Sequence, residues 1–233
     1  MIYRSNLKAP NVAQHFRMIS GPMPHSLGHD IPSDPDFDPR CGFMSHDEAA
    51  ILYNCAKQVG GRWIDIGSRF GWTTAHLIEA KCQVWAVDRE YCNPQFKDRA
   101  IENLSHWPRS SYVLVDVTAQ DFLSGGTGGI EGFVIDGDHD DPQPLLDAKG
   151  CLRLANPNPA AVFVFHDFYG KPIRDGVNFL IDQGLKCRIY DTPNGMAVCW
   201  RGEFTPPHHV PDPKIDWAGV RLSRCPDFDF AKD

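Results

Sequence analysis

The sequence has no long apolar segment and no excess of basic residues. No apolar run approaches the roughly twenty residues needed to cross a bilayer, and Met1 to Ser20 lacks the hydrophobic core of a signal peptide. Lys and Arg number 23 against 30 Asp and Glu, which gives a net charge of -7, and no basic run stands out. We therefore expect neither a membrane nor duplex nucleic acid as a partner, and we predict a cytoplasmic protein.

Cysteine is present, but without a pattern. The eight cysteines are scattered and include no Cys-x-x-Cys pair, so we expect neither a disulfide framework nor a zinc site. Cys55, Cys187 and Cys199 lie in apolar segments that suit buried thiols. With 233 residues, of which 42% are hydrophobic, the chain can bury one sizeable core, and one domain with extensions is predicted.

Proline-rich segments flank the central part of the chain. Residues 1–44 are rich in proline, histidine and aspartate, which disfavours continuous helix or strand, and we interpret them as an N-terminal arm or lid. Residues 203–233 are predicted as a C-terminal extension. Its only signs of docking are the apolar residues Trp217, Val220 and Leu222. The domain proper is predicted over residues 45–202.

Within this domain, short apolar runs alternate with helical patterns. Continuous apolar runs are typical of parallel strands that are buried on both faces. Five such strands are predicted over Arg62–Ile66, Gln83–Val87, Tyr112–Val115, Gly132–Ile135 and Ala160–Phe165. Helices are predicted over Ser45–Val59, Trp72–Ala80, Phe96–His106, Gln143–Leu154 and Ile173–Gln183, the first with a capping box of Ser45 and Glu48.

The end of the domain predicts an antiparallel hairpin. Two strand-like runs, Leu185–Asp191 and Met196–Trp200, are joined by the turn sequence Thr192-Pro-Asn-Gly195. A glycine-rich stretch, Ser124–Gly129, is interpreted as a linker. The order predicts a doubly wound, Rossmann-like α/β fold, in which a mostly parallel seven-stranded sheet carries helices on both faces and ends in the hairpin.

The most informative segment reads as a buried strand, a glycine turn and a helix start. Residues 62–77 are RWIDIGSRFGWTTAHL. Glycine lets the backbone approach a ligand closely, and Asp65 at the strand end can accept hydrogen bonds from a cationic or hydroxyl-bearing group. The dinucleotide fingerprint is not met because Arg69 stands where the second glycine would be, so a dehydrogenase is disfavoured. No Gly-Lys-Ser/Thr sequence marks a P-loop either.

A second acidic strand end follows about twenty residues after the glycine turn, where α/β nucleotide sites place the group that binds ribose hydroxyls. This residue is Asp88, in VWAVDRE. With DIGSRFGWTT as the first motif, the chain resembles the class I S-adenosylmethionine-dependent methyltransferases over roughly residues 45–201. Among them it looks most like the small-molecule O-methyltransferases of the caffeoyl-CoA and macrocin type.

The resemblance implies S-adenosylmethionine as cofactor and assigns residues to its parts. Asp65 and Gly67 would hold the methionine end, Asp88 the ribose, and Asp116 the adenine amino group, with Val117 offering backbone contact. An alternative for Asp116 is that it caps the helix that follows. The other cofactor-binding positions that the resemblance implies are Ser68, Gly71, Thr73, Arg89 and Asp136.

Two further strand ends carry groups that could perform chemistry. FVIDGDHDD contains Asp136 and His139, and VFVFHD contains His166 and Asp167. The carboxyl ends of parallel strands converge on one crevice, so we expect these side chains to lie together. Carboxylates at this density repel one another unless a cation, a proton or hydrogen bonds compensate. His139, with a near-neutral pKa, is the candidate general base, and Asp136 is the second catalytic candidate.

The resemblance also implies a divalent metal that holds the acceptor's hydroxyl groups. Asp136, His166 and Asp167 match the positions of its ligands. The metal expected is magnesium or manganese, and because His166 departs from the commoner carboxylate there, the case for magnesium is weaker and that for a softer transition metal is stronger. The alternative is that Asp136 and Asp167 cap the following loops while His166 is hydrogen-bonded in the crevice.

We interpret the protein as an S-adenosylmethionine-dependent methyltransferase that acts on an oxygen of a small-molecule acceptor. One alternative is a metal-dependent hydrolase built on Asp136, His139, His166 and Asp167. Another is a catalytically silent nucleotide-binding module that works by interaction. Self-association is left open. No catalytic role is expected for the histidines of the arms, the alternative being that they close over the substrate; these are His15, His25, His29, His208 and His209.

Overall fold

The computed structural model describes residues 6–16, 44–157 and 160–232. Its strands are β1 Arg62–Ile66, β2 Gln83–Val87, β3 Tyr112–Val115, β4 Gly132–Ile135, β5 Ala160–Phe165, β6 Lys186–Tyr190 and β7 Met196–Gly202. Its α-helices are α1 His46–Val59, α2 Trp72–Glu79, α3 Pro94–Leu104, α4 Ala119–Gly125, α5 Gln143–Leu154, α6 Lys171–Asp182 and α7 Trp217–Arg224. Most of the predicted arm, with His25 and His29, lies outside the described residues.

The strands form one sheet in the order β3-β2-β1-β4-β5-β7-β6. β1 to β5 pair in parallel, and β7 runs antiparallel between β5 and β6. This confirms the predicted doubly wound sheet with an antiparallel C-terminal hairpin. Because the chain reverses its direction of progress between β1 and β4, the carboxyl ends of the strands open onto a crevice there.

Helices cover both faces of the sheet and bury two apolar cores. Trp63 and Leu77 belong to the core beneath α1 and α2. Phe133 and Phe163 belong to the core on the opposite face, beneath α5 and α6, where their rings stack with centroids 4.9 Å apart. Successive residues of β1 point into different cores, which explains why the strand reads as a continuous apolar run.

Side-chain caps determine where the first helices begin. Ser45 caps α1 in a capping box with Glu48, as predicted. Asn93 caps α3 through its side chain, and Pro94 takes the first helical position. The helix therefore starts before the predicted Phe96, because proline at this position lacks only an amide hydrogen that would have no helical partner.

Two other helices differ from expectation, since α4 was not among the predicted helices and α6 was predicted to begin at Ile173. Thr118 accepts a hydrogen bond from the amide of Asp121 and so caps α4, which excludes Asp116 from that role. α4 extends through the first two residues of the predicted linker 124–129. α6 begins at Lys171, earlier than predicted, with a proline in its first turn.

The C-terminal extension contains an unpredicted helix, α7, and docks through residues that the sequence pattern did not single out. Cys225 and Phe228 are buried, and Phe228 meets Phe168 edge-on with ring centroids 4.9 Å apart. Leu222 was expected to dock, but it is 79% exposed, so that prediction was wrong. The amphipathic pattern could not show that the apolar contact lies beyond the end of α7.

The predicted buried thiols are confirmed at Cys55, Cys187 and Cys199. The seven cysteines of the described ranges are all free. Across the same ranges, no helix combines the length and the apolar character that crossing a bilayer requires.

Candidate functional site

A cavity of about 620 Å³ lies at the carboxyl ends of the parallel strands, where the sheet reverses. This volume is typical of small-molecule and cofactor sites. The predicted site residues that line it are Gly67, Ser68, Thr73, Asp88, Arg89, Asp136, His139 and Asp167. The predicted site residues that do not line it are Asp65, Gly71, Asp116, Val117 and His166.

Gly67 allows β1 to turn closely over the end of β4. Its φ is +82°, and a Cβ there would overlap the carbonyl oxygen of Asp136. Glycine adopts this left-handed conformation without steric cost and leaves room for the neighbouring backbone. Gly71 has a similar φ of +86° at the start of α2, with Leu104 in the space that a Cβ would take. The turn is therefore held by close packing on both sides.

Asp65 lies beneath this turn and not in the cavity. It is fully buried, and its Oδ2 accepts hydrogen bonds from Oγ1 of Thr73 at 2.6 Å and of Thr74 at 2.5 Å. Burial raises the pKa of Asp65 to about 7, although the two hydroxyl groups act in the opposite direction. Asp65 thus ties β1 to the first turn of α2, and its contact with the methionine end of a cofactor stays a prediction.

The raised pKa of Asp65 predicts a pH-dependent contribution to stability. The folded protein holds the proton more tightly than the unfolded chain, so this contribution is present at about pH 4 and falls as the pH rises to about 7. Asp65→Asn is neutral throughout, so the free energy of unfolding of the wild type should fall relative to that of the variant across this window. Urea unfolding at several pH values measures the difference, and a constant difference would contradict the assignment.

Asp88 ends β2 and faces the cavity. Its Oδ2 accepts the amide of Arg69 and its Oδ1 the amide of Glu90, both at 2.8 Å. Burial raises the pKa of Asp88 in spite of these two bonds. Each carboxylate oxygen has a second lone pair, so Asp88 can hold the glycine turn in place and still accept hydrogen bonds from a ligand.

Ser68 and Arg89 have protein partners at the rim of the cavity. Oγ of Ser68 lies 2.8 Å from the hydroxyl of Tyr91, and Nη1 of Arg89 lies 3.2 Å from Oδ2 of Asp138. The side chain of Tyr91 is buried, whereas that of Arg89 is largely exposed. Ser68 is therefore fixed in position, and Arg89 is free to exchange its surface ion pair for a ligand.

Asp116 lies away from the cavity. Its side chain is half exposed and pairs at 3.0 Å with Nζ of Lys97, which lowers the pKa of the carboxyl group. The cavity wall beyond β3 is formed instead by residues 118–120, which the sequence analysis did not assign to the site. The cofactor contacts predicted for Asp116 and Val117 gain no support from this placement and stay predictions.

Asp136, His139 and Asp167 lie together in the wall of the cavity. Nε2 of His139 lies 3.5 Å from Oδ1 of Asp136 and 3.6 Å from Oδ2 of Asp167. Burial alone would lower the pKa of His139, but Asp136 and then Asp167 raise it above its ordinary value. Asp167 has a left-handed φ of 54°, a conformation that non-glycine residues adopt mainly where function or tight packing requires it.

His166 lies behind these two carboxylates and is fully buried. Its Nδ1 is 3.0 Å from Oδ2 of Asp167 and 3.2 Å from Oδ1 of Asp136, while its Nε2 is 3.1 Å from Oε2 of Glu48. Burial alone would lower the pKa of His166, but the three carboxylates raise it well above its usual value. Burial would raise the pKa of Asp136, yet His166 brings it down to about 2.

Glu48 contacts the site through His166, although the sequence pattern indicated only its part in the capping box. The helical spacing of the sequence could have indicated that Glu48 is buried. It lies on the same face of α1 as Leu52 and Cys55, which are fully buried. An acidic residue on the apolar face of a helix is buried when the helix docks, and it then needs hydrogen-bond donors.

The predicted metal ligands fit a divalent cation. Asp136, His166 and Asp167 each offer one ligand atom, and these atoms lie within 4.8 Å of one another. Two ligands at right angles, each about 2.1 Å from an ion, are about 3.0 Å apart, which is close to the 3.0 and 3.2 Å that separate Nδ1 of His166 from the two oxygens. Because one of the three ligands is an imidazole, the set favours a transition metal over magnesium.

Comparison with known proteins relates the chain to solved structures only. No protein-family model matches the sequence, and a search of curated proteins gave no match. The fold is similar to that of a putative caffeoyl-CoA O-methyltransferase from Staphylococcus aureus, with a TM-score of 0.58 and 14% identity over 70% of this chain and 86% of that one. A methyltransferase from Geobacter sulfurreducens matches with a TM-score of 0.55 and 14% identity over 68% and 80% of the two chains.

A third similar structure is an S-adenosylmethionine-dependent O-methyltransferase from Thermotoga maritima, with a TM-score of 0.55 and 12% identity over 70% of this chain and 68% of that one. Identity this low carries information about the fold and not about the acceptor or the ligands. The strand order and the position of the cavity agree with the resemblance drawn from the glycine turn and Asp88. The chain therefore has the fold of the class I S-adenosylmethionine-dependent methyltransferases.

Proposed function

We propose that the protein is a methyltransferase that uses S-adenosylmethionine and methylates a hydroxyl oxygen of a small molecule. The observation that carries the proposal is the layout of the cavity. The glycine turn, the carboxylate of Asp88 and a histidine between two carboxylates all line the same cavity. A cofactor held by the glycine turn and Asp88 would therefore have its reactive group beside the histidine.

The chain's own residues bind and orient the cofactor in this proposal. Asp88 accepts the ribose hydroxyls while its bonds to the amides of Arg69 and Glu90 keep the carboxylate in place. The turn at Gly67 and Ser68 lies against the methionine end, and residues 118–120 border the adenine. Enclosure of the reacting groups in the cavity excludes water and fixes their alignment, which is the main source of rate enhancement for such a transfer.

His139 acts as the general base. Bound S-adenosylmethionine supplies the electrophilic methyl group. The imidazole of His139 accepts the proton that the acceptor hydroxyl loses, and Asp136 and Asp167 stabilise the imidazolium that results, since both carboxylates lie within 3.6 Å of its Nε2. The ring lines the cavity with Nε2 buried on the side of the two carboxylates, so the other ring nitrogen is the one left to receive the proton.

The metal-assisted form of the reaction is part of the proposal. Asp136, His166 and Asp167 are the residues that would hold a divalent cation, on the geometry given above. A cation there supplies Lewis-acid chemistry, which lowers the pKa of the acceptor hydroxyl. The neighbouring carboxylates in this part of the cavity wall repel one another, and a bound positive charge would relieve that repulsion.

Isothermal titration tests the proposal. The purified protein is titrated with S-adenosylmethionine and with S-adenosylhomocysteine, each in the presence of EDTA, magnesium or manganese. Micromolar binding supports the proposed cofactor, and a screen of hydroxylated acceptors with a methyl-transfer readout then follows. Failure of both ligands to bind to folded protein overturns the proposal and favours the metal-dependent hydrolase or the silent nucleotide-binding module.

Asp88→Ala should weaken the affinity for S-adenosylhomocysteine by about 1–3 kcal/mol, because it removes the acceptor of the ribose hydrogen bonds. Asp116→Ala is the matched control, since that carboxylate lies outside the cavity lining and pairs with Lys97. The control should bind like the wild type. Calorimetry compares the two variants, and a larger loss in Asp116→Ala would transfer the recognition role to Asp116.

A further inference from the structure

Glu48 is a buried carboxylate on which several parts of the chain converge. Its Oε1 accepts hydrogen bonds from Oγ1 of Thr192 at 2.7 Å and from the amide of Asn194 at 3.2 Å. Its Oε2 accepts one from the amide of Ser45 at 2.8 Å and lies 3.1 Å from Nε2 of His166. Glu48 thereby joins the start of α1, the end of β5 and the turn between β6 and β7.

All of these partners are donors, which explains why the position requires a carboxylate. Glutamate accepts at both oxygens, whereas the amide nitrogen of glutamine would face donors with hydrogens of its own. Both oxygens of Glu48 already accept hydrogen bonds from groups that can only donate or are placed to donate, so the carboxylate offers His166 an acceptor and Nε2 is the ring atom that carries the hydrogen of this contact.

The bond to Glu48 determines which ring atom His166 turns towards the cavity side. With Nε2 held by Glu48, Nδ1 lies between the oxygens of Asp136 and Asp167, at 3.2 and 3.0 Å. A histidine that binds a metal commonly donates its other ring N–H to a carboxylate, which fixes the tautomer and the orientation of the ring. The contact joins residues 118 positions apart, so it is a product of the tertiary fold.

We propose that Glu48 is the positioning residue of a divalent-cation site formed by Asp136, His166 and Asp167. Glu48 does not line the cavity and touches neither cofactor nor acceptor. It acts by holding Nε2 of His166, so that Nδ1 is the atom presented to the cation. This inference rests on the metal-assisted form of the proposed function and adds a requirement for α1 to be docked before the site is complete.

The experiment compares Mn²⁺ binding by the wild type, Glu48→Gln and Thr192→Val. Thr192→Val removes a donor to the same carboxylate without touching His166, so it controls for loss of stability. Glu48→Gln should lower the Mn²⁺ affinity by about 10- to 100-fold. Thr192→Val should bind Mn²⁺ like the wild type. Free Mn²⁺ is measured by electron paramagnetic resonance, and S-adenosylhomocysteine affinity, measured by calorimetry, should be unchanged in both variants.

The outcomes separate this inference from the proposed function. No Mn²⁺ binding by the wild type, or equal losses in Glu48→Gln and Thr192→Val, overturns the role of Glu48. If the wild type binds S-adenosylhomocysteine but does not bind Mn²⁺ at all, the cation site is overturned and methyl transfer stays in place. If it binds Mn²⁺ but not S-adenosylhomocysteine, the proposed function is contradicted and the cation site is retained.

A measurement on the wild type alone keeps the inference testable if Glu48→Gln does not fold. In ¹H–¹⁵N spectra of the histidine side chains, addition of Zn²⁺ should shift Nδ1 of His166 and leave Nε2 protonated. A shift of Nε2 instead would show that Glu48 does not hold that nitrogen, and the proposed positioning role would be wrong.

Discussion

Gly67→Ala should abolish binding of S-adenosylhomocysteine and destabilise the protein by roughly 3 kcal/mol or more, which is at the upper end for a single substitution. Its φ of +82° is unfavourable for alanine, and the added methyl group would overlap the carbonyl oxygen of Asp136. The turn can relieve the overlap only by moving away from the end of β4, which opens the cavity wall. Urea unfolding and calorimetry measure the two losses.

Gly184→Ala is the matched control for this change. Gly184 has nearly the same φ, +84°, but a Cβ there would meet nothing within 4 Å. Its substitution should lower the free energy of unfolding only by the strain of alanine at a positive φ, about 1 kcal/mol, and leave ligand binding unchanged. Similar losses of stability in the two variants would show that the approach of Gly67 to Asp136 is not what constrains the turn.

His139→Asn should lower the turnover of methyl transfer by about 10²- to 10⁴-fold while the affinity for S-adenosylhomocysteine stays at the wild-type value. The reason is that asparagine cannot accept the hydroxyl proton that the imidazole of His139 takes beside Asp136 and Asp167. Initial rates with the acceptor found by screening measure turnover, and calorimetry measures the affinity.

His106→Asn provides the comparison for His139. His106 is an exposed histidine that stacks on His15, away from the cavity lining, so its loss should leave turnover unchanged. Full turnover in His139→Asn would exclude a general-base role. A parallel loss of cofactor affinity would instead make His139 a binding residue.

The sequence predicted the sheet because its central parallel strands β1, β4 and β5 are buried on both faces. β1, β2, β3, β4 and β5 have the predicted bounds, since unbroken apolar runs between turn residues have few other interpretations. Helix ends were less accurate. Asn93 and Pro94 moved the start of α3, and the cap by Thr118 placed the start of α4, because a single side-chain bond outweighs periodicity at a helix terminus.

The candidate site could be predicted in part, because the order of the parallel strands indicates where their carboxyl ends meet. Asp88, Asp136 and Asp167 line the cavity because the carboxyl ends of parallel strands meet at one edge of a sheet. Asp65 and Asp116 also end strands, but Asp65 lies beneath the glycine turn and Asp116 faces solvent. Spacing along the chain shows where a strand ends and not which way the next side chain points.

The sequence by itself determined the fold class, the glycine turn and the set of acidic strand ends, because these follow from local patterns of two to twenty residues that any docking of the helices preserves. Only the tertiary structure decided which of these groups face the cavity and which support them from behind. The contact between Glu48 and His166 depends on how α1 packs against the sheet, and the burial of both groups makes it strong.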